Sequence, residues 1–250
     1  MNSSKDNITK QILDRRDFLK LGLLSTALSV SGLAVSASEK QIQPPLQKYV
    51  AKKYTHLLNG ALNGISNEQL NAHFGLYENY INKINDLEAR IKGFNTNNVD
   101  TINYRGWHLA QTSMLNGAVL HELYFGNLGV KDKEPRGVLK KLIERDFGNL
   151  QNFVGHLKVV GKVMHGWSIA AYNYRTGRIN IYGLESHNQT VPTMVYPILV
   201  LDVYEHAYMI DYETDRKKYL DVFVANLNWI AVEERLEKAL LIKFGEAVTV

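Results

Sequence analysis

The chain has 250 residues, 45% hydrophobic and 22% charged, as expected for a folded globular protein. It contains no cysteine, which excludes disulfides, thiolate metal sites and cysteine nucleophiles, so His, Asp, Glu or backbone atoms would have to hold any transition metal. The formal net charge is only +4, so the composition predicts no nucleic-acid partner.

The first 37 residues have the pattern of an export signal. Arg15 and Arg16 precede a moderately apolar run over 21–35, and the Val-Ser-Ala at 35–37 supplies the small residues that signal peptidase requires. The arrangement resembles a twin-arginine signal, which implies bacterial export by the twin-arginine machinery to the periplasm or outside the cell. The run is shorter than the ~20 residues of a bilayer span, so we expect no stable membrane anchor in the mature form, although a retained signal stays an alternative.

Two long helices are predicted next. Residues 38–52 contain adjacent prolines and little periodicity, and are predicted to form a linker or an extended arm. Ser66 and Gln69 make a capping-box pattern, and apolar residues then recur at helical spacing to about Lys92. After a polar loop a second helix is predicted over 104–123, so the two should form an antiparallel hairpin.

The second half of the chain mixes helical and strand patterns. The predicted elements are helices over 138–147 and 149–163, strands over 167–174 and 179–184, a strand over 197–201, and helices over 216–226 and 229–244. The run at 197–201 is continuously apolar, which predicts a buried strand that delivers Asp202 at its end.

These elements predict an α+β fold: an N-terminal antiparallel helical hairpin, followed by a mixed domain with a small three-stranded antiparallel sheet and flanking helices. The predicted organisation is a signal at 1–37, a linker or arm at 38–52, the helical hairpin domain at 53–132 and an α/β domain at 133–250.

The stretch Asp-Val-Tyr-Glu-His-Ala-Tyr places Asp202 and His206 four residues apart. A carboxylate and an imidazole suit Mn, Fe or Zn, although ordinary hydrogen-bonded neighbours share this spacing. The whole run resembles the D-x-W-E-H-A-Y signature of the iron/manganese superoxide dismutase family, with Tyr204 where that family usually has Trp. The resemblance covers most of residues 54–243.

The resemblance implies a superoxide dismutase with one Fe or Mn ion per subunit, held by His73, His121, Asp202 and His206. Superoxide would be the substrate and O₂ and H₂O₂ the products. His73 lies seven residues before Tyr80, where the family usually has eight, but both spacings return to nearly the same helix face. Such departures leave an alternative, an exported metal-binding or structural member of the family with little turnover.

The resemblance also implies a residue that hydrogen-bonds solvent at the metal. Manganese-type members place a Gln after the second hairpin strand, and ungapped alignment puts His187 there, with Gln189 as the alternative. Iron-type members use a Gln four residues before the second-helix ligand, here Gly117, which leaves a gap that His187 would fill. Of two tyrosines that could line the substrate channel, Tyr80 is favoured and Tyr77 is the alternative.

Three aromatic residues, Trp167, Tyr204 and Phe125, are expected to form an apolar wall that keeps the site dry and small. The resemblance also implies a homodimer, with a tetramer as the open alternative, in which Glu205 accepts a hydrogen bond from His206 of the partner subunit across a two-fold axis.

Overall fold

A computed structural model of the protein describes residues 47–242, apart from residues 96, 98, 99, 130 and 131. The predicted export signal and the first part of the predicted arm lie outside the described residues. The described residues from 47 to 242 belong to one compact unit. Among the described helices, none has the length and apolar character needed to span a bilayer.

The described elements follow the predicted order and confirm the α+β class. They are a short 3-10 helix (Thr55–Leu57), α1 (Asn67–Lys92), α2 (Thr101–Phe125), α3 (Gly137–Phe147), α4 (Leu150–Val163), β1 (Trp167–Asn173), β2 (Arg178–Leu184), β3 (Val195–Asp202), a 3-10 turn (Glu205–Ala207), α5 (Met209–Tyr212), α6 (Arg216–Ala225) and α7 (Trp229–Leu241).

Helices α1 and α2 start where side chains cap their first free N–H groups. The Ser66 side chain accepts from the Gln69 backbone N–H, as the capping pattern predicts. Helix α2 begins at Thr101, earlier than predicted, because the Asp100 carboxylate accepts from the N–H groups of Ile102 and Asn103 at 3.1 and 3.2 Å. Both long helices are therefore fixed at their N-termini by short polar side chains.

The two long helices pack side by side in opposite directions. His73 of α1 meets His121 of α2, with ring centroids 5.0 Å apart, and further along α1 the Tyr80 ring lies against Gly117. A position later in α1 thus faces an earlier one in α2, which is the antiparallel arrangement. The pairing brings one face of each helix to a common buried region.

The sheet is antiparallel, with strand order β2-β1-β3. Trp167 pairs with Leu184 on one side and with Asp202 on the other, so the start of β1 lies beside the end of β3. A bulge occurs where Ala171 of β1 faces Pro197 of β3, an edge position at which a residue without an N–H is tolerated. The register delivers Asp202 to the end of the sheet, as predicted.

Helix α2 is tied to this sheet by Arg235 of α7. Its guanidinium donates to the backbone carbonyls of Leu123 at 2.9 Å and Ile198 at 3.2 Å, and to the side chain of Asn127. Leu123 lies in the last turn of α2, where carbonyls lack helical partners and a cation is favourable. Burial lowers the pKa of Arg235 to about 10, so it stays charged at neutral pH and fixes the end of α2 against β3.

Candidate metal centre

Four side chains converge where the helix pair meets the end of the sheet. They are His73 of α1, His121 of α2, Asp202 of β3 and His206 of the following turn, and their ligand atoms all lie within 4.8 Å of one another. The first three are fully buried and His206 is partly exposed. These are the four residues that the resemblance implies as metal ligands, and the structure brings all of them together.

Asp202 is held at the centre of this group. Its Oδ2 lies 3.2 Å from Nε2 of His73, 3.1 Å from Nε2 of His206 and 3.6 Å from Nε2 of His121. Its Oδ1 accepts from the Tyr204 backbone N–H at 3.0 Å. One carboxylate oxygen is thus fixed by the backbone, and the other faces three imidazole nitrogens.

The tautomer of His121 is set by its own helix. Its Nδ1–H donates to the carbonyl of Gly117 one turn earlier, at 2.6 Å. The proton of the neutral ring is therefore on Nδ1, which leaves the Nε2 lone pair directed at Asp202 and His206. The Nε2 atoms of His121 and His206 are 3.3 Å apart, so two imidazole nitrogens converge on the same point.

His206 is positioned by Gln69, whose role the sequence did not reveal. The Gln69 amide donates to the His206 carbonyl at 2.6 Å, and its Oε1 accepts from the Ile210 N–H at 3.1 Å. One half of the capping-box prediction is therefore wrong, because the Gln69 side chain does not accept a hydrogen bond from the Ser66 backbone N–H. The Ser66 N–H donates instead to Asp211 at 2.7 Å, which frees Gln69 to hold the turn that carries His206.

Burial and neighbouring side chains together set the pKa values of Asp202, His73 and His121. Burial alone would raise the pKa of Asp202, but the nearby His206 and His73, which attract and hydrogen-bond its carboxylate, hold that pKa far below its usual range. Burial lowers the pKa of His73, and burial together with the adjacent His73 lowers that of His121 well below its ordinary value. At neutral pH Asp202 is thus a carboxylate and His73 and His121 are neutral imidazoles, the protonation states in which these side chains bind a metal ion.

The donor set and its spacing fit a first-row transition metal. An ion about 2.1 Å from each ligand atom keeps neighbouring ligand atoms about 3–4 Å apart, which is the range of the distances around Asp202 Oδ2. Three imidazoles and a carboxylate are the ligands that suit Fe, Mn or Zn. The site is also buried among aromatic rings.

His187 lies beside this group and is joined to Tyr80 and Trp167. The indole N–H of Trp167 can only donate, so Nδ1 of His187, 3.0 Å away, is the acceptor. A neutral His187 therefore carries its proton on Nε2 and donates it to the Tyr80 hydroxyl at 2.7 Å. Burial lowers the pKa of His187 to about 4, so the ring is neutral at physiological pH.

Gln189 and Tyr77, the alternatives to His187 and Tyr80, lie elsewhere in the structure. Gln189 is exposed. Tyr77 is buried, but its hydroxyl donates to Glu122 at 2.9 Å and accepts from the Lys52 N–H at 2.9 Å, away from His187. Of the candidates named from the sequence, it is His187 and Tyr80 that the structure places together beside the converging ligands.

The space beside Gly117, which His187 was expected to fill, is occupied differently. A Cβ atom at this position would lie 2.9 Å from the ring of Tyr80, so it is the tyrosine ring that occupies the space left by the glycine. His187 then meets the Tyr80 ring edge-on, with centroids 4.9 Å apart. Gly117 thus allows a close approach of α1 to α2, and His187 meets this region through the Tyr80 ring and through its own carbonyl, which accepts from the Asn116 side chain at 2.8 Å.

Comparison with known proteins agrees with this geometry. Residues 135–235 match the family model of the iron/manganese superoxide dismutases, C-terminal domain. Over 192 residues the chain is 40% identical to the superoxide dismutase [Fe] of Aquifex aeolicus, which covers 74% of this chain and 90% of the relative. The chain belongs to the iron/manganese superoxide dismutase family.

Other members of the family support the same assignment. The superoxide dismutase [Fe] of Methanothermobacter thermautotrophicus is 34% identical over 182 residues, 70% of this chain and 88% of the relative. The superoxide dismutase [Mn/Fe] of Aeropyrum pernix is 34% identical over 129 residues, 50% of this chain and 60% of the relative. The family uses one Fe or Mn ion per subunit, and the group around Asp202 is a possible metal site of that kind.

The aromatic wall of this family member also has a polar function. The Tyr204 ring stacks on His206 at 5.1 Å, Phe125 packs edge-on against His73 at 4.8 Å, and Trp167 packs against His121 at 5.1 Å. Trp167 is more than the apolar wall residue expected from sequence, because its indole N–H holds His187. No sequence pattern would have shown this contact, since one residue begins the β1–β2 hairpin and the other follows its end.

Glu205 lies at the surface of the described chain and not in its interior. Its side chain is half exposed, 4.0 Å from His165 and 3.8 Å from Arg216. Two apolar side chains close to it in sequence, Met209 and Ile210, are 45% and 48% exposed. The face that carries the His206 turn therefore presents a carboxylate and apolar groups together.

Proposed function

We propose that this chain is a superoxide dismutase that holds one Fe or Mn ion at His73, His121, Asp202 and His206. The observation that carries the proposal is the convergence of three imidazole Nε2 atoms and one carboxylate oxygen in a buried pocket. A metal bound there would supply a +3/+2 redox couple, by which one superoxide is oxidised to O₂ and the next is reduced, with two protons, to H₂O₂.

The chain's own residues would set the electrostatics of this centre. One carboxylate with neutral imidazoles offsets part of the cation's charge, and the rings of Phe125, Trp167 and Tyr204 exclude bulk water from it. Exclusion of water strengthens every charge interaction inside the pocket. A cation held there would therefore attract an anion such as superoxide strongly.

Protons for the reduction of superoxide would come by way of His187 and Tyr80. Because His187 Nε2–H donates to the Tyr80 oxygen, the hydroxyl hydrogen of Tyr80 is free to donate onward. The pKa of Tyr80 is raised to about 12 by burial and by the charge of Asp202, so the hydroxyl keeps its proton at physiological pH. We infer that Tyr80 is the immediate donor in the pocket and that His187 orients it.

The decisive test is superoxide decay per bound metal. Protein loaded with Fe or Mn should accelerate the decay, and Asp202→Ala should lose both the metal and the activity. His156→Ala, an exposed histidine on α4, is the matched control and should retain both. If the wild type binds metal stoichiometrically but turns over no faster than Asp202→Ala, the chain is a metal-binding or structural member of the family.

We also propose that the protein is exported through the twin-arginine machinery, because Arg15 and Arg16 precede an apolar run and a small-residue cleavage pattern. The double variant Arg15→Lys with Arg16→Lys should leave the precursor in the cytoplasm. Cell fractionation checks this, and export of the double variant at wild-type levels would contradict the proposal.

A homodimer is the third part of the proposal. The half-exposed Glu205 would accept from His206 of the partner subunit, and the exposed Met209 and Ile210 would be covered in the same contact. Ile210→Asp should lower the mass measured by light scattering from dimer to monomer, whereas Val163→Asp, an exposed apolar residue on α4, should not. A monomeric wild type at micromolar concentration would contradict this part alone.

A further inference from the structure

The loop end of the α1–α2 hairpin carries aromatic residues that pack on one another and not on the core. Phe94 stacks on Tyr104 with ring centroids 4.3 Å apart and meets Trp107 edge-on at 5.7 Å. None of the three is among the described residues that form or line the hydrophobic core. All three are only partly buried. We call Phe94, Tyr104 and Trp107 the tip cluster.

Apolar side chains next to the tip cluster face solvent. Ile102 is 84% exposed and Leu109 is 47% exposed. They lie seven residues apart on α2, which is nearly two helical turns, so both project from one side of the helix. Large aliphatic groups exposed in this way next to an aromatic cluster indicate a surface that is covered in use.

The same end of the hairpin is basic. Arg90 and Lys92 in the last turn of α1 and Arg105 in α2 are all exposed, and no carboxylate among the described residues forms an ion pair with any of them. The acid nearest in sequence to this end, Asp100, is engaged in capping α2. Glu88, half a turn before Arg90, accepts from the Tyr49 hydroxyl at 3.2 Å, and Asp86 lies one turn further from the tip than Arg90. The surface therefore combines cations, Trp, Tyr and aliphatic groups.

The N-terminal arm approaches from this end. Lys53 pairs with Glu78, the Lys52 N–H donates to Tyr77, and the Tyr49 N–H donates to Asn85 at 2.8 Å. Tyr49 thus meets α1 about two turns nearer the tip than Lys52 and Lys53 do, so the arm runs broadly antiparallel to α1 and its first described residues lie toward the tip. The polypeptide thus enters the described body on the side of the basic aromatic surface, and the apolar run at 21–35 precedes it in sequence.

We propose that the hairpin tip is a docking site for an anionic membrane surface. Trp and Tyr are favoured at the headgroup level of a bilayer, exposed Ile and Leu enter the acyl boundary, and Arg and Lys bind acidic headgroups. A second copy of the chain fits less well, because three cations would face their own copies across a two-fold axis. The patch of about five side chains is also well below the roughly 800 Å² per partner of a stable dimer. This inference is independent of dismutase activity.

Trp107 supplies a built-in reporter for the test. The chain has three tryptophans, and the other two, Trp167 and Trp229, are buried in the core. The full chain would be mixed with phosphatidylcholine vesicles, with and without phosphatidylglycerol, carrying brominated acyl chains that quench tryptophan on contact. We expect quenching with the anionic vesicles, its loss in Trp107→Phe, and little quenching with phosphatidylcholine alone.

Variants then separate the tip from the N-terminal apolar run, which every sample retains. Arg105→Glu and Ile102→Ser should each reduce the quenching, and Arg105→Glu should weaken vesicle binding by at least about fivefold. Val163→Ser, exposed on α4, should behave as the wild type, with circular dichroism confirming that all variants are folded. The proposal is overturned if Trp107 is not quenched, or if all variants are quenched equally. It is also overturned if Ile102→Ser abolishes a concentration-dependent self-association, because a second copy would then be the occupant.

Discussion

His187 is the most distinctive residue of the site in this chain. Its two ring nitrogens are both used, one as acceptor from Trp167 and one as donor to Tyr80. A glutamine amide could make similar contacts, but histidine holds its donor and acceptor with one fewer rotatable side-chain bond. The orientation of the Tyr80 hydroxyl therefore depends on a single histidine and on the indole that holds it.

We predict that His187→Ala keeps its metal but loses at least about tenfold in turnover, which corresponds to about 1.4 kcal/mol of transition-state stabilisation. The reason is that Tyr80 loses the donor that directs its own hydroxyl hydrogen. Metal analysis and superoxide decay measure the two quantities, and Gln189→Ala, on an exposed loop residue, is the control. If Gln189→Ala lost turnover while His187→Ala remained near normal, the role would belong to Gln189 instead.

Two glycines of α2 give a matched pair for testing the contact between the long helices. Gly106 has no atom within 4 Å of an added Cβ, whereas at Gly117 the ring of Tyr80 is 2.9 Å away. Gly106→Ala should stabilise the protein by up to about 1 kcal/mol, because alanine is the better helix former. Gly117→Ala should lose that gain and reduce turnover by displacing Tyr80.

Urea denaturation and activity assays compare the two glycine variants. If Gly117→Ala were as stable and as active as Gly106→Ala, the close approach of Tyr80 to α2 would have no part in the site.

At the scale of the elements, the turn after β3 depends on a helix that is distant in sequence. Gln69, in the first turn of α1, bonds the His206 carbonyl and the Ile210 N–H. Gln69→Ala should leave both groups without partners, which costs about 1–3 kcal/mol and loosens the turn that carries a ligand. The measurements are unfolding free energy and metal retention against a chelator.

Asn71→Ala, exposed in the same helix, is the control for this substitution and should change neither quantity. A Gln69→Ala protein that releases its metal no faster than Asn71→Ala would show that the turn holds itself in place.

The sequence predicted the elements better than the contacts between them. Helix starts such as Ser66 and Asp100 are local signals, since the capping side chain lies within a few residues of the N–H groups that it satisfies. The four converging side chains were found through the resemblance. The destinations of Gln69 and Trp167 were not predictable, because each side chain bonds a residue brought close only by tertiary packing.

At the scale of the whole molecule, the buried histidines make stability depend on pH. Burial lowers the pKa values of His73, His121 and His187, so the unfolded chain binds more protons than the folded one below the ordinary histidine pKa of about 6.5. Stability therefore falls as the pH drops from that value toward the folded pKa values. Asp202 acts in the same direction, because its folded pKa is also lowered: its contribution is complete above the unfolded carboxyl pKa of about 4 and is lost as the pH falls from there toward the much lower folded pKa.

We predict that the metal-free protein loses stability between about pH 6.5 and pH 4, measured by urea denaturation at a series of pH values. His187→Gln should make the dependence of stability on pH less steep, because one of the three titrating histidines is gone. His156→Gln, at an exposed position, should leave the slope unchanged. A stability that is constant over this range would contradict the assignment of the three histidines as buried and neutral.

The converging ligands come from both ends of the described chain: two from the first long helices, two from the end of the last strand and the turn beyond it. No segment shorter than residues 73–206 contains the complete set. A chain still being synthesised, or one whose hairpin has folded without the sheet, therefore has no more than a pair of histidines to offer. Metal uptake should thus come late in folding. Only a molecule in which the hairpin has docked on the sheet retains the ion, so metal content reports on complete folding.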